Sequence, residues 1–209
     1  MSERYRVTSL DSIEALPGPG SLRWLPVRHT LGIGAFGTNA YVAQAAGDDV
    51  VEPHTERSSG HEELYFVARG SATFTLDGEE VRAPAGTYVF LSDPEVHRRA
   101  VADEPGTTVL SFGAPRGEAY TVSGWEARFR ATAIRERDPE QARTLYEEGL
   151  AAEPDGAWAS YDLACWHALY GTADEARALL DRAIELGGED VRAQAQKDPD
   201  LASLRDGAG

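Results

Sequence analysis

Residues 61–78 read HEELYFVARGSATFTLDG, and this stretch decides the fold. Tyr, Phe, Val and Thr dominate it, and apolar and polar residues alternate with the period of two that belongs to a strand with one buried face. Asp77-Gly78 closes the second run. A two-residue hairpin needs positive φ at its turn, which glycine adopts without strain. The stretch is therefore expected to hold two antiparallel strands, ELYFVARG and SATFTLDG.

The same pattern extends outward. APAG at 83–86 and DEPG at 103–106 mark further turns, and TYVFL and TTVLSFG supply two more strands. Short strands at close spacing predict a sandwich or barrel. Beyond Gly124 the period becomes helical: Trp125, Phe129 and Ala133 recur every fourth residue. Asp138-Pro139-Glu140 reads as an N-cap followed by proline at the first helical position. The expected class is α+β in separate domains: an N-terminal arm over 1–29, an all-β barrel or jelly roll over 30–118, and an all-α domain of helical hairpins over 119–209, closed by a capping helix.

Composition narrows the partners. The chain has 209 residues and a formal net charge of -15. Such a balance disfavours nucleic acid and anionic membranes. No apolar run is long enough to span a bilayer, and the N-terminus has no apolar signal region. The single cysteine, Cys165, cannot form an intrachain disulfide, which fits a cytoplasmic location. Cys165 sits among Leu163, Ala164 and Trp166 and reads as a buried small residue. GIGAFG at 32–37 satisfies G-x-G-x-x-G, but a strand is expected after it rather than a helix, so it is not assigned to a nucleotide.

The helical half resembles a tetratricopeptide repeat. With Gly171 as the inter-helix turn, Leu163 and Ala164 precede it by eight and seven residues, and Ala176, Leu180 and Ala183 follow it by five, nine and twelve. Ala142, Tyr146, Gly149 and Pro154 repeat the second-helix part. Two repeats are fewer than an array of this kind needs alone. The resemblance implies either a groove for a peptide or protein partner, or a helical extension whose apolar face packs on the barrel domain or on a second subunit of a homodimer.

The β half resembles a cupin. Glu63 and Gly70 have the Glu-to-Gly spacing of the first cupin motif, and Gly86 and His97 the Gly-to-His spacing of the second. The motif's His-x-His is absent. Counting back from Glu63 lands on Arg57 and Ser59, and a longer loop would put His54-Thr55-Glu56 there instead. The resemblance implies a divalent metal (Fe, Mn, Ni or Zn) held by some of His54, Glu56, His61, Glu63 and His97. It also implies a small-molecule pocket. Tyr65, Phe74, Tyr88 and Phe90 are its candidate lining, with Arg98 or Arg99 for a ligand carboxylate. Strand alternation gives His54 and Glu56 a shared face, and likewise His61, Glu63, Tyr65 and Val67 if their strand begins at His61. An interior Glu63 needs a counter-charge, either a metal or a cationic side chain such as His97, Arg57, Arg98 or Arg99. Two functions follow: a small-molecule-binding protein whose helices contact a partner or dimerise, or a metal-dependent dioxygenase or isomerase.

Overall fold

The computed structural model describes residues 5–206 of a chain that forms two compact units, Met1–Thr121 and Val122–Gly209. Residues 1–4 of the expected arm and 207–209 of the expected helical domain lie outside the described residues.

The first unit is two antiparallel sheets. Its strands are β1 (Leu16–Pro17), β2 (Arg23–Leu25), β3 (Gly37–Val42), β4 (Asp49–His54), β5 (His61–Arg69), β6 (Ser71–Leu76), β7 (Glu79–Pro84), β8 (Tyr88–Leu91), β9 (Arg98–Ala102) and β10 (Thr108–Pro115). One sheet runs β1-β2-β3-β10-β5-β8 and the other β4-β9-β6-β7. The N-terminal stretch thus contributes two short strands, β1 and β2, to the edge of the larger sheet, and its Trp24 is fully buried.

The deciding stretch forms the two expected strands but not an antiparallel pair: β5 lies in the larger sheet, and β6 crosses to the smaller one, where it pairs with β7 and β9. β5 ends at Arg69, and Gly70, at φ 71°, turns the chain into β6. A side chain at Gly70 would lie 2.5 Å from Thr107 Oγ1, so glycine is required there for both conformation and space. Asp77 and Gly78 both have positive φ, as the tight turn between β6 and β7 demands. Alternation sets the core: Glu63, Tyr65 and Val67 of β5 are buried, as are Ala72 and Phe74 of β6 and Arg98, Ala100 and Ala102 of β9. GIGAFG runs from the end of a helix, α1 (Val27–Leu31), into β3, which begins at Gly37. That is the reverse of the strand-to-helix order in which such glycines cradle a pyrophosphate.

The second unit is helical: α2 (Gly124–Ile134), α3 (Pro139–Ala152), α4 (Ala157–Tyr170), α5 (Ala173–Lys197) and α6 (Ala202–Asp206). The Asp138 side chain accepts from the Gln141 N–H with Pro139 at the first position, and Thr172 caps α5 in the same way. Small residues let α2 and α3 approach closely. A Cβ on Gly124 would sit 2.5 Å from the Gly149 carbonyl. Leu163 packs with Ala142, Tyr146 and Trp166, while Cys165 packs with Ala176, Ala183 and Val191. Helix α4 is therefore buried on two sides, as the middle element of stacked helical pairs must be. Helix α5 runs further than its repeat unit requires. Non-helical Gly188 kinks it.

Candidate functional site

The barrel interior collects charge from both sheets. Glu63 and Tyr65 come from β5 of the larger sheet, and His54 and Arg98 come from β4 and β9 of the smaller one. His54 and Arg98 are cross-strand partners, and the register of β4 against β9 shifts between Val51 and His54. That irregularity re-aims the end of β4, as bulges at barrel rims do. The loop after it folds back. The Glu56 N–H donates to the Pro94 carbonyl, and Ser59 Oγ donates to the Glu56 carboxylate.

His54 Nε2 then lies 3.5 Å from Glu56 Oε1 and 3.8 Å from Glu63 Oε2. His54 Nδ1 lies 2.7 Å from the Glu52 carbonyl, which only accepts, so Nδ1 carries a proton. Nε2 therefore faces two carboxylates, an arrangement that calls for a second proton or a cation. Burial opposes protonation here, but hydrogen bonds to Glu56 and Glu63 and the nearby Glu52 outweigh it and raise the His54 pKa to about 10. Glu52 moves the other way from a simple surface carboxylate, since burial pushes its pKa up. The Glu56 carboxyl is held down, against its burial, by hydrogen bonds from His54 and Ser59.

Deeper in, the Tyr65 hydroxyl donates to Glu63 Oε2 at 2.5 Å, and Arg98 Nε lies 3.7 Å from the same oxygen. Burial raises the Tyr65 pKa far above its ordinary value and the Glu63 charge adds to it, so the phenol stays a donor. The Tyr65 ring packs 5.6 Å from that of Phe74. Exposure falls from rim to floor: 24% for the His54 side chain, 19% for Glu56 and 0% for Arg98.

The structure thus brings His54, Glu56 and Glu63 together, one ligand atom from each within 4.8 Å of the others. His61 is at their edge, with Nδ1 3.7 Å from Glu56 Oε2 and its ring 5.8 Å from Tyr120. His97 does not join them. It is exposed, and its backbone N–H donates to Asp77 Oδ1. The reason is parity: in β9 the inward positions are 98, 100 and 102, so the spacing from Gly86 ends one residue short of the interior. Arg98 holds the inward place.

Of the expected pocket lining, Tyr65 and Phe74 are interior. Tyr88 and Phe90 are corrected: they are 65% and 58% exposed, because Val89 and Leu91 are the inward residues of β8. Arg99 also points out and pairs with Asp49 at 2.8 Å. Position 98 was one of two adjacent arginines in the sequence, and only the register of β9 separates them.

The two-sheet antiparallel barrel is of the cupin type, here followed by tetratricopeptide-like helices. The chain belongs to the family of the AraC-like ligand binding domain, whose model matches residues 39–146, just over half of its length. A tetratricopeptide repeat model matches residues 133–197. Similar solved structures include an RmlC-like cupin from Shewanella frigidimarina (20% identity, covering 56% of this chain and 95% of that one, TM-score 0.42). KdgF from Halomonas sp. is 20% identical over 49% of this chain and 87% of its own, with a TM-score of 0.40. A cupin-superfamily sugar phosphate isomerase from Silicibacter pomeroyi is 20% identical over 52% and 75%, with a TM-score of 0.43. No curated protein matches the chain. No helix among the described residues is long and apolar enough to cross a membrane.

Proposed function

We propose that this protein binds a small organic molecule inside its barrel, and that the helices serve a protein partner or a homodimer. One observation carries the first part. Glu63, Tyr65, Arg98 and His54 come from two different sheets and converge inside the barrel, where burying charge is costly unless the charge is used. Rim groups His54, Glu56 and His61 surround the approach, and Tyr65 and Phe74 give an apolar wall.

A second reading is favoured by the three donors of His54, Glu56 and Glu63, which fit one face of a divalent ion. Bound there, such an ion would supply Lewis acidity for an isomerase or an open position for a dioxygenase. The fit is partial. Outward His97 cannot be a fourth ligand, and Arg98 already places positive charge beside Glu63. Binding without a metal is therefore the preferred reading.

A thermal-shift screen of a small-molecule library against the full chain tests it. Hits should stabilise the wild type and lose their effect in the paired variant Glu63→Leu/Arg98→Met, which replaces the charge pair by apolar groups. Hits that stabilise both proteins equally would place binding elsewhere. Metal analysis after reconstitution with Fe, Mn, Ni or Zn tests the second reading: stoichiometric retention that His54→Ala abolishes would replace the first. Light scattering on the full chain tests the dimer.

A further inference from the structure

We infer that the molecule bound in the barrel carries an oxyanion, such as a carboxylate or a phosphate, and that the Arg98 guanidinium receives it. The inference rests on the proposal that the barrel interior is a binding site. Arg98 is fully buried, and none of Nε, Nη1 and Nη2 makes a hydrogen bond. A guanidinium has five N–H donors in a planar fork, and burying all of them unused is among the least favourable arrangements a side chain can adopt. Three exposed arginines of the same unit have close carboxylate partners. Arg57, Arg69 and Arg99 reach Glu95, Asp11 and Asp49 at 2.5–2.8 Å. Arg98 comes no nearer than 3.7 Å to Glu63, whose Oε2 is engaged by the Tyr65 hydroxyl.

The surrounding charges explain why the Arg98 fork is left for a ligand. Glu56 is engaged by His54 and Ser59, and Glu63 by Tyr65 and His54. The fork geometry suits two oxygens of one acid group better than a lone carbonyl. The Tyr65 and Phe74 rings, inward like Arg98, suit an apolar body behind that group.

Calorimetric titration of the full chain with benzoate, its neutral analogue benzamide and inorganic phosphate tests this, in the wild type and in Arg98→Lys and Arg98→Met. The wild type should prefer benzoate to benzamide by about tenfold or more, the worth of one charge-assisted contact. Arg98→Met should abolish the preference, and Arg98→Lys should keep part of it. If Arg98→Met fails to fold, Arg98→Lys and the paired Glu63→Leu/Arg98→Met variant carry the comparison, and the pair should show no preference. A preference unchanged by loss of the guanidinium would overturn the inference. Benzamide bound in the barrel as tightly as benzoate would overturn it while leaving the barrel a binding site. No binding by any of the three probes would count against both.

Discussion

Glu63→Leu should destabilise the barrel far more than its volume change suggests. Leucine is of similar size and suits a buried strand. The loss is electrostatic. Glu63 is the carboxylate nearest the buried Arg98 guanidinium, accepts from the Tyr65 hydroxyl and faces His54 Nε2. Breaking a buried ion pair by removing one partner costs about 3–5 kcal/mol. The Tyr65 hydroxyl left without its acceptor adds about 1–3 kcal/mol, and the gained apolar burial offsets about 1 kcal/mol. A net loss of about 4 kcal/mol is expected. Arg98→Met alone should cost about 3 kcal/mol, since it removes the buried guanidinium beside Glu63 and leaves it only the rim His54. The double variant should not cost the sum. With both charges gone only the orphaned hydroxyl remains, so it should lie within about 2 kcal/mol of the wild type. The coupling of about 5 kcal/mol is the signature. Because the chain has two units, native-state hydrogen exchange read on peptides from β5 and β9 is the appropriate assay, since it reports barrel opening apart from the helices. Additive single costs would refute the claim that Glu63 and Arg98 form one buried unit.

Three further outcomes are expected. His54 gains its proton more readily folded than unfolded, with a pKa raised from 6.5 to about 10. Its contribution to stability, a few kcal/mol at about 1.4 per unit, is therefore complete below about pH 6.5 and is lost as pH rises toward 10. Urea midpoints measured from pH 7 to 10 should fall more steeply for the wild type than for His54→Gln, and parallel profiles would contradict this. Gly70→Ala forces a β-carbon to 2.5 Å from Thr107 Oγ1 at a φ of 71°. It should cost about 3 kcal/mol and lower the melting temperature by about 6–12 °C, and an unchanged melting temperature would show that the turn is not as described. Burial pushes the Cys165 thiol well above its ordinary range, with Asp198 and Asp162 adding to it. A disulfide reagent should thus label it only in denaturant, and fast labelling of the native protein would place it at the surface.

The features legible in the sequence were local ones. Asp77-Gly78, Asp138-Pro139 and Gly171 each announce a turn or cap through a single residue's backbone preference, and each stands where its chemistry requires. Glu63 was legible because β5 alternates without interruption from His61 to Arg69, so its inward face could be counted. The site's other wall was not. Between Gly86 and β9 the chain passes through β8 and an irregular turn at 92–97, and residue count through such a turn does not preserve inward or outward parity. Hence the motif spacing pointed at His97 while the interior received Arg98. The same one-residue ambiguity turned Tyr88 and Phe90 outward. His54 was reachable only through a bulged strand end and a folded-back loop, neither of which has a periodic signal.

The central claim is that the barrel holds its ligand between Glu63, Tyr65 and Arg98. Backbone-amide NMR of the full chain, titrated with benzoate, addresses it most directly. The account predicts saturable shift changes concentrated in β4, β5 and β9 around residues 54, 63–65 and 98. Saturable changes confined to the helices, or none at all at saturating concentration, would contradict it.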